Sequence, residues 1–384
     1  MRPSADRARL SALRLERFRN LQPLRLDSLE GQDCVFLIGE NGQGKTNLLE
    51  AIYLLCFGGS FRTRQDADLI RSGMDQGVVG GSFVLDADTA LDADTASPGA
   101  WHREVAVHLR KDGPREIRVD GSRVADRAEV VGAVPCILFS HDDLRAVDGP
   151  PAELRRFFDQ TAALSDPGAL PALRRYRRVL MERNALLRGG PSDDLLDVYD
   201  RQLIEAGLVI GSQRSDLIGD YAGRFAAIFH RVTESDVVVS IGYQPSWSSA
   251  APEEVAAQMR SARQRDHALQ TTTTGPHRDR FPLRIDGLSF RRYASTGQKR
   301  LASLALRAAQ AARVAERSRP APLLLLDDVL LELDARKRER FLAALPTADQ
   351  RFFTFLPDEP FDRYETGPTL RITVRDGSLT PWKP

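Results

Sequence analysis

The segment Gly39-Glu40-Asn41-Gly42-Gln43-Gly44-Lys45-Thr46 packs three glycines, a lysine and a hydroxyl into eight positions, a spacing suited to holding phosphate. Glycines let successive backbone N–H groups turn toward an anion, and a helix opening at the lysine adds the positive end of its dipole. Lys45 would then reach the β- and γ-phosphates of ATP, and the Thr46 hydroxyl can ligate Mg²⁺. A second group is Leu323-Leu-Leu-Leu-Asp327-Asp328, an apolar run ending on two carboxylates. Here Asp327 would take the metal through water, and Asp328 would polarise an attacking water. Such a run alone is more often a capped strand, but a phosphate loop in the same chain favours the metal reading.

A third group, Tyr293-Ala-Ser295-Thr296-Gly297-Gln298-Lys299-Arg300, runs into a helical pattern over Leu301 to Val314. By itself it reads as an N-cap, with Ser295 or Thr296 bonding free amides. Its place roughly thirty residues before Asp327 is where ATP-binding-cassette proteins carry the signature that meets the γ-phosphate of the other subunit's ATP.

The elements that must position these groups are legible in the periodicity. Cys34-Val-Phe-Leu-Ile38 is a short continuous apolar run before the glycine loop, and Asn47 to Leu55 has apolar residues at helical spacing, which predicts strand, phosphate loop, helix. Leu13 to Leu21 and Pro23 to Asp27 predict a hairpin. Between about 77 and 140, β-rich stretches separated by Asp112-Gly113 and Asp120-Gly121 predict an antiparallel meander. From Pro151 to about Phe229 the pattern turns helical, with segments Ala152 to Leu164, Leu173 to Leu187 and Leu195 to Ile210. Proline and glycine interruptions argue against a long coiled-coil arm. Val237 to Ile241, a helix near Glu253 to Leu269, and Leu283 to Gly287 lead back to the sheet. Roughly 280 residues separate Lys45 from Asp327, so an insertion splits the two halves of one ATPase core. The expected division is 1–148 for the first half, 149–232 for a helical insertion and 233–384 for the second half.

Bulk properties exclude several classes. At 384 residues the chain can bury one large or two modest cores. Its longest apolar runs are far below the ~18 residues of a membrane span, and the N-terminal residues have no apolar signal core, so a cytoplasmic protein with no membrane partner is expected. Cys34, Cys56 and Cys136 have no metal-ligand spacing and read as buried small hydrophobes. A net charge of +1 confines any polyanion site to a local patch. The pairs Arg155-Arg156, Arg174-Arg175, Arg177-Arg178 and Arg291-Arg292 can face phosphates, although such pairs are usually solvated faces. His277 is expected to cap or pack. The tandem copy of Leu85-Asp-Ala-Asp-Thr-Ala90 at Leu91 to Ala96 reads as a loop expansion.

Beyond these motifs, Leu15-Glu-Arg-Phe-Arg-Asn-Leu, Ser60-Phe-Arg, Phe139-Ser-His-Asp-Asp-Leu, Arg155-Arg-Phe-Phe-Asp, Arg183-Asn-Ala-Leu-Leu, Gly275-Pro-His-Arg-Asp and Asp327-Asp-Val-x-x-Glu-Leu-Asp334 resemble the RecF recombination and repair family, over nearly the whole chain. The resemblance implies an α/β P-loop NTPase of ABC/SMC-head type, with a mixed sheet, an antiparallel β-meander and a helical insertion domain. It implies an ATP-dependent homodimer that binds duplex DNA at single-strand gaps, works with RecR and RecO, and helps load RecA, with slow ATP hydrolysis as a timer. Carried over residue by residue, Gly39 to Thr46 bind ATP, Asp327 and Asp328 manage Mg²⁺ and water, Ser295 to Gln298 reach across the dimer, and Asp334 lies in the D-loop. Two departures stand out: the signature lacks a second glycine before its third position, and Thr354 stands where a switch histidine is expected. A transporter ATPase subunit fits the motifs but not an insertion of this length, and a P-loop kinase needs no trans signature.

Overall fold

A computed structural model describes residues 7–86, 101–124, 130, 134–166, 168–318, 320–331 and 333–383. The chain divides into two compact units, Met1–His141 with Gln310–Pro384, and Asp142–Ala309.

The first unit holds two sheets. Its strands in chain order are β1 (Arg7–Glu16), β2 (Leu24–Leu26), β3 (Cys34–Ile38), β4 (Gln76–Asp86), β5 (Trp101–Arg110), β6 (Glu116–Val119), β7 (Ser122–Arg123) and β8 (Cys136–Phe139). The second unit contributes β9 (Val239–Ile241), β10 (Leu283–Ile285) and β11 (Leu288–Ser289), and the chain returns to the first unit with β12 (Leu323–Leu326), β13 (Arg351–Phe355), β14 (Thr369–Arg375) and β15 (Ser378–Pro381). One sheet has the order β2-β1-β4-β5-β6-β7 and is antiparallel throughout. The other, β15-β14-β3-β13-β12-β8, is parallel except for its β15 edge. Strands β3, β8 and β12 are buried at every position, as parallel strands covered on both faces must be. The expected hairpin is β1–β2 and the expected meander is β4 to β7, but Cys136–Phe139 leaves the meander to pair with β12.

The helix Lys45–Phe57 touches β4 and β5 of one sheet and β8 and β13 of the other. Being covered by both layers, it buries residues all round its axis, including Lys45 and Glu50. This clamp fixes the helix N-terminus, and with it the phosphate loop, against the ends of the parallel strands.

In the second unit, helices Pro151–Ser165, Ala169–Leu187 and Asp193–Thr233 match the three expected helical segments, with one large difference. The third helix runs 41 residues and does not stop near Ile210. Glycines at 207, 211, 219 and 223 blur its sequence pattern, yet the first has a packing role: a Cβ on Gly207 would lie 2.4 Å from the Trp247 ring. Tertiary packing thus overrides the local propensity of glycine. The unit also extends past the expected end of the insertion at 232. Strands β9, β10 and β11 pair with one another in a separate three-stranded antiparallel sheet and do not rejoin the parallel sheet, because each is only two or three residues long and its partners lie within the same unit. The core here gathers Leu173, Tyr176, Val179, Leu203, Trp247 and Met259. The repeat at Leu85 to Ala96 lies almost wholly outside the described residues.

Candidate functional site

Strand β3 ends at Ile38, and Gly39 donates its N–H to Phe355 O, which fixes where the loop leaves the sheet. A Cβ at Gly39 would sit 2.3 Å from Val374 O, so only glycine fits. Gly42 and Gly44 have φ of +80° and +114°, the left-handed backbone that turns the intervening N–H groups inward. The helix then opens at Lys45, whose Nζ donates to Gly39 O at 2.5 Å and Glu40 O at 3.2 Å. Among the described residues its hydrogen bonds go to two backbone carbonyls, so this buried amine is a donor that phosphate oxygens can take over.

The Walker-type strand arrives where the sequence required. Thr46 Oγ1 donates to Asp327 Oδ1 at 2.9 Å, joining positions that are far apart in sequence. Burial first, and the neighbouring Asp328 charge second, push the Asp327 carboxyl up to about 6. Asp328 has φ of +53°, and Thr354 holds it there from β13: the Asp328 N–H donates to Thr354 Oγ1, which donates back to Asp328 Oδ1, each at 2.7 Å. Thr354 therefore clamps Asp328 from β13. The hydroxyl and carboxylate oxygens of Thr46 and Asp327 fit a hard cation such as Mg²⁺. Among the described residues no group of three or more His, Cys, Asp or Glu could hold a metal, so the remaining ligands of such a cation would be water or phosphate oxygens.

Several contributors escaped the sequence reading. Arg19 binds the fully buried Glu50 through two 2.9 Å bonds, and Ser60 Oγ donates to the same carboxylate at 2.5 Å. Arg62 donates to Asn47 Oδ1 at 2.7 Å, and Asn47 donates to Asn20 Oδ1 at 2.7 Å. The phrases around Arg19 and Ser60 thus converge on the phosphate-loop helix. From the other end of the chain, the Asp376-Gly377 turn braces the loop: the Asp376 N–H donates to Gln43 Oε1 at 2.6 Å and the Gly377 N–H to Gln43 O at 3.1 Å. The adjacent positive φ values of Asp376 and Gly377 mark a tight hairpin turn, and the Asp-Gly pair is the one sequence signal that could have found it.

The remaining expected residues lie elsewhere in their own units. Ser295 accepts from the Gln298 N–H at 3.2 Å while Gln298 Oε1 accepts from the Ser295 N–H at 2.8 Å, a reciprocal capping box at the start of the helix Thr296–Arg317. Ser295, Thr296 and Gly297 are exposed. Asp334 caps the helix Ala335–Ala344 by accepting from the Lys337 N–H, and hydrogen bonds from Lys337 hold its carboxyl below the usual range.

The phrases at Arg183 and Gly275 form a buried lock. The Arg183 guanidinium donates to Asp200 at 2.7 Å, Asp266 at 2.8 Å and Thr272 at 2.9 Å. His277 Nε2 faces Thr272 O at 2.9 Å, so this nitrogen carries the proton, and Nδ1 accepts from Tyr176 Oη at 2.7 Å. Burial pushes the imidazole down to about 4, which keeps it neutral. Most of the arginine pairs are tied as well: Arg155 to Asp279 O, Arg156 to Glu153, Arg175 to Glu205 and Arg177 to Asp159.

A family model for the RecF/RecN/SMC N-terminal domain matches residues 9–361. A DNA replication and repair protein RecF from Treponema pallidum (strain Nichols) is 35% identical over 94% of this chain and 98% of its own length. The chain belongs to the RecF family. A second RecF relative, from Anaeromyxobacter sp. (strain Fw109-5), is also 35% identical, over 97% of this chain and 99% of its own. Among solved structures, the recombination mediator protein RecF with ATP, of the RecFOR pathway, superposes with a TM-score of 0.85 at 26% identity, covering 99% of this chain and all of that one. An Smc head domain from Pyrococcus furiosus shares the fold alone, at a TM-score of 0.55 and 17% identity. The α/β ABC/SMC-head ATPase fold, with mixed sheets and a helical region, is therefore the fold of this RecF family member. Among the described residues no helix is long and apolar enough to cross a membrane.

Proposed function

We propose that the chain is an ATP-gated, DNA-binding mediator of recombinational repair. The observation that carries this reading is the 2.9 Å bond from Thr46 to Asp327, which draws phosphate loop and acidic strand into one site on a RecF-family fold. In this reading Gly39 to Thr46 cradle the phosphates of ATP, with Lys45 as the charge that meets the terminal groups. Thr46 and Asp327 would hold Mg²⁺, which would supply charge neutralisation to the phosphates. Asp328, clamped by Thr354, orients the attacking water. Residues 1–141 and 310–384 supply the phosphate loop and the acidic strand, and 142–309, which carries the signature at Ser295 to Gln298, forms the insertion between them.

Ser295 to Gln298 reach the nucleotide of a second copy, and Asp334 links the two sites. Exposure of the capped helix start supports this, since its free N–H groups and positive end can take up an anion from outside the chain. ATP favours the dimer because it gains contacts there that the monomer lacks, and slow hydrolysis to ADP and phosphate removes them. The dimer binds duplex DNA at single-strand gaps and, with RecO and RecR, helps load RecA. Sedimentation with ATP tests the dimer. Lys45→Met should abolish ATP binding and dimerisation together, whereas Ser295→Arg should keep ATP binding and stay monomeric. A Ser295→Arg protein that dimerises with ATP would overturn the trans-signature model.

A further inference from the structure

The second unit carries a cleft of about 440 Å³ into which Arg265, Arg278 and Arg280 converge from the helix Pro252–Leu269 and from the segment after Gly275. None of its lining residues is acidic. Arg278 donates to Thr272 O, while Arg265 and Arg280 make no ion pair among the described residues. In a chain with nearly balanced charge, this cluster is a local exception.

The neighbouring carboxylates explain how it arises. Asp266, beside Arg265, turns inward to Arg183, Thr273 and the buried lock. Asp279, between Arg278 and Arg280, is 2% exposed and accepts from Arg214 at 2.7 Å, Tyr243 at 2.6 Å and the Ser246 N–H at 2.8 Å. Each acid is consumed inside the unit and each arginine beside it is left outside. The adjacent His277 is neutral, so it neither adds to the positive charge nor cancels it.

We infer that this cleft is a binding site for the phosphodiester backbone of nucleic acid. Three exposed guanidiniums with no ion pair among the described residues, one of them bonded to a backbone carbonyl, supply forked donors matched to phosphate oxygens. Gln244 adds an amide at the rim, and Leu269 and Pro245 add apolar wall against which a sugar can lie. No aromatic residue lines it, so it has no platform for stacking bases and its binding is independent of sequence. The inference rests on the DNA-binding reading above and assigns part of that activity to named residues of the second unit.

The test is duplex DNA binding in the presence of ATP, followed by anisotropy across a salt series, for the wild-type chain, the triple Arg265→Gln/Arg278→Gln/Arg280→Gln variant and the corresponding triple lysine variant. Each phosphate contact contributes about 0.9 to the slope of log affinity against log salt. The glutamine variant should lose about 2 to 3 from that slope for each cleft engaged, and weaken on the order of a hundredfold at 0.1 M salt. The lysine variant should keep the slope, and both should melt and bind ATP as the wild type does. An unchanged slope and affinity in the glutamine variant, with wild-type DNA binding intact, overturns the site and leaves the DNA reading standing. Absence of DNA binding by the wild type overturns both. Displacement of DNA by inorganic phosphate at constant ionic strength would assign the cleft to a free anion, and retention of DNA binding with loss of an acidic protein partner would assign it to that partner; either result overturns the inference.

Discussion

Replacing Arg183 by methionine removes a cation that lies entirely inside the second unit between Asp200 and Asp266, whose side chains are 5% and 1% exposed. The substitution keeps much of the arginine's apolar volume, so what it tests is charge and hydrogen bonding. Three donated bonds disappear, and two buried carboxylates lose a shared counter-ion, although Arg263 still meets Asp200 at 3.0 Å. Removing one partner of a buried ion pair costs about 3–5 kcal/mol, because the other charge is left desolvated and unpaired. With a urea dependence of about 2–3 kcal/mol per molar, the unfolding midpoint of this unit should fall by about 1–2.5 M. Trp247 reports on it directly, being buried in the core of this unit against Gly207. Fluorescence in a background with Trp101 and Trp382 changed to phenylalanine isolates that signal. Adding Asp200→Asn and Asp266→Asn to Arg183→Met should recover at least half of the loss, since no unpaired charge remains. A midpoint shift below about 0.3 M for the single substitution would refute the claim that this arginine holds the unit together.

Thr354→Val should slow ATP hydrolysis by about 10- to 100-fold while nucleotide affinity changes little, because it frees Asp328 and leaves the Thr46 to Asp327 bond in place; single-turnover kinetics beside equilibrium binding separates the two. Gly377→Ala should destabilise the first unit by about 1–2 kcal/mol and loosen nucleotide binding, since the residue has φ of +73° and a Cβ there would lie 2.1 Å from Asn20 O; thermal melting and ATP titration check both. His277 has a folded-state value near 4 against an ordinary value of 6.5, so the unfolded chain takes up the proton first and stability is lost as pH falls from about 6.5 toward 4, by about 3 kcal/mol in full. His277→Gln should flatten that part of the pH profile of urea stability relative to wild type, and an unchanged profile would place the titration elsewhere.

The phosphate loop and its flanks were legible because the same few residues must satisfy local rules: a buried strand, glycines with positive φ, and a helix start. Asp327 was legible through its apolar strand, and the insertion through the long interval between the motifs. Less legible were features that depend on contacts distant in sequence. Glu50 looks like an ordinary helix residue until Arg19 and Ser60 close on it. The Asp376-Gly377 turn reads as a hairpin, with no sign that it meets Gln43. A helical region to about Phe229 is legible, but the continuity of one helix past Ile210 depends on packing such as Gly207 against Trp247, which local sequence does not contain. Paired arginines are conspicuous in the sequence, whereas Arg265, Arg278 and Arg280 stand apart from one another or beside acids. Only the inward turn of Asp266 and Asp279 reveals their charge as available.

The most direct test of the account is anisotropy of labelled duplex DNA titrated with the protein at one stated salt concentration, with ATP and with ADP, because affinity without salt has no meaning for a polyanion. Tighter binding with ATP than with ADP, abolished by Lys45→Met, is the predicted result. Equal binding with both nucleotides, or none with either, would contradict the claim that the site around Thr46 and Asp327 gates DNA.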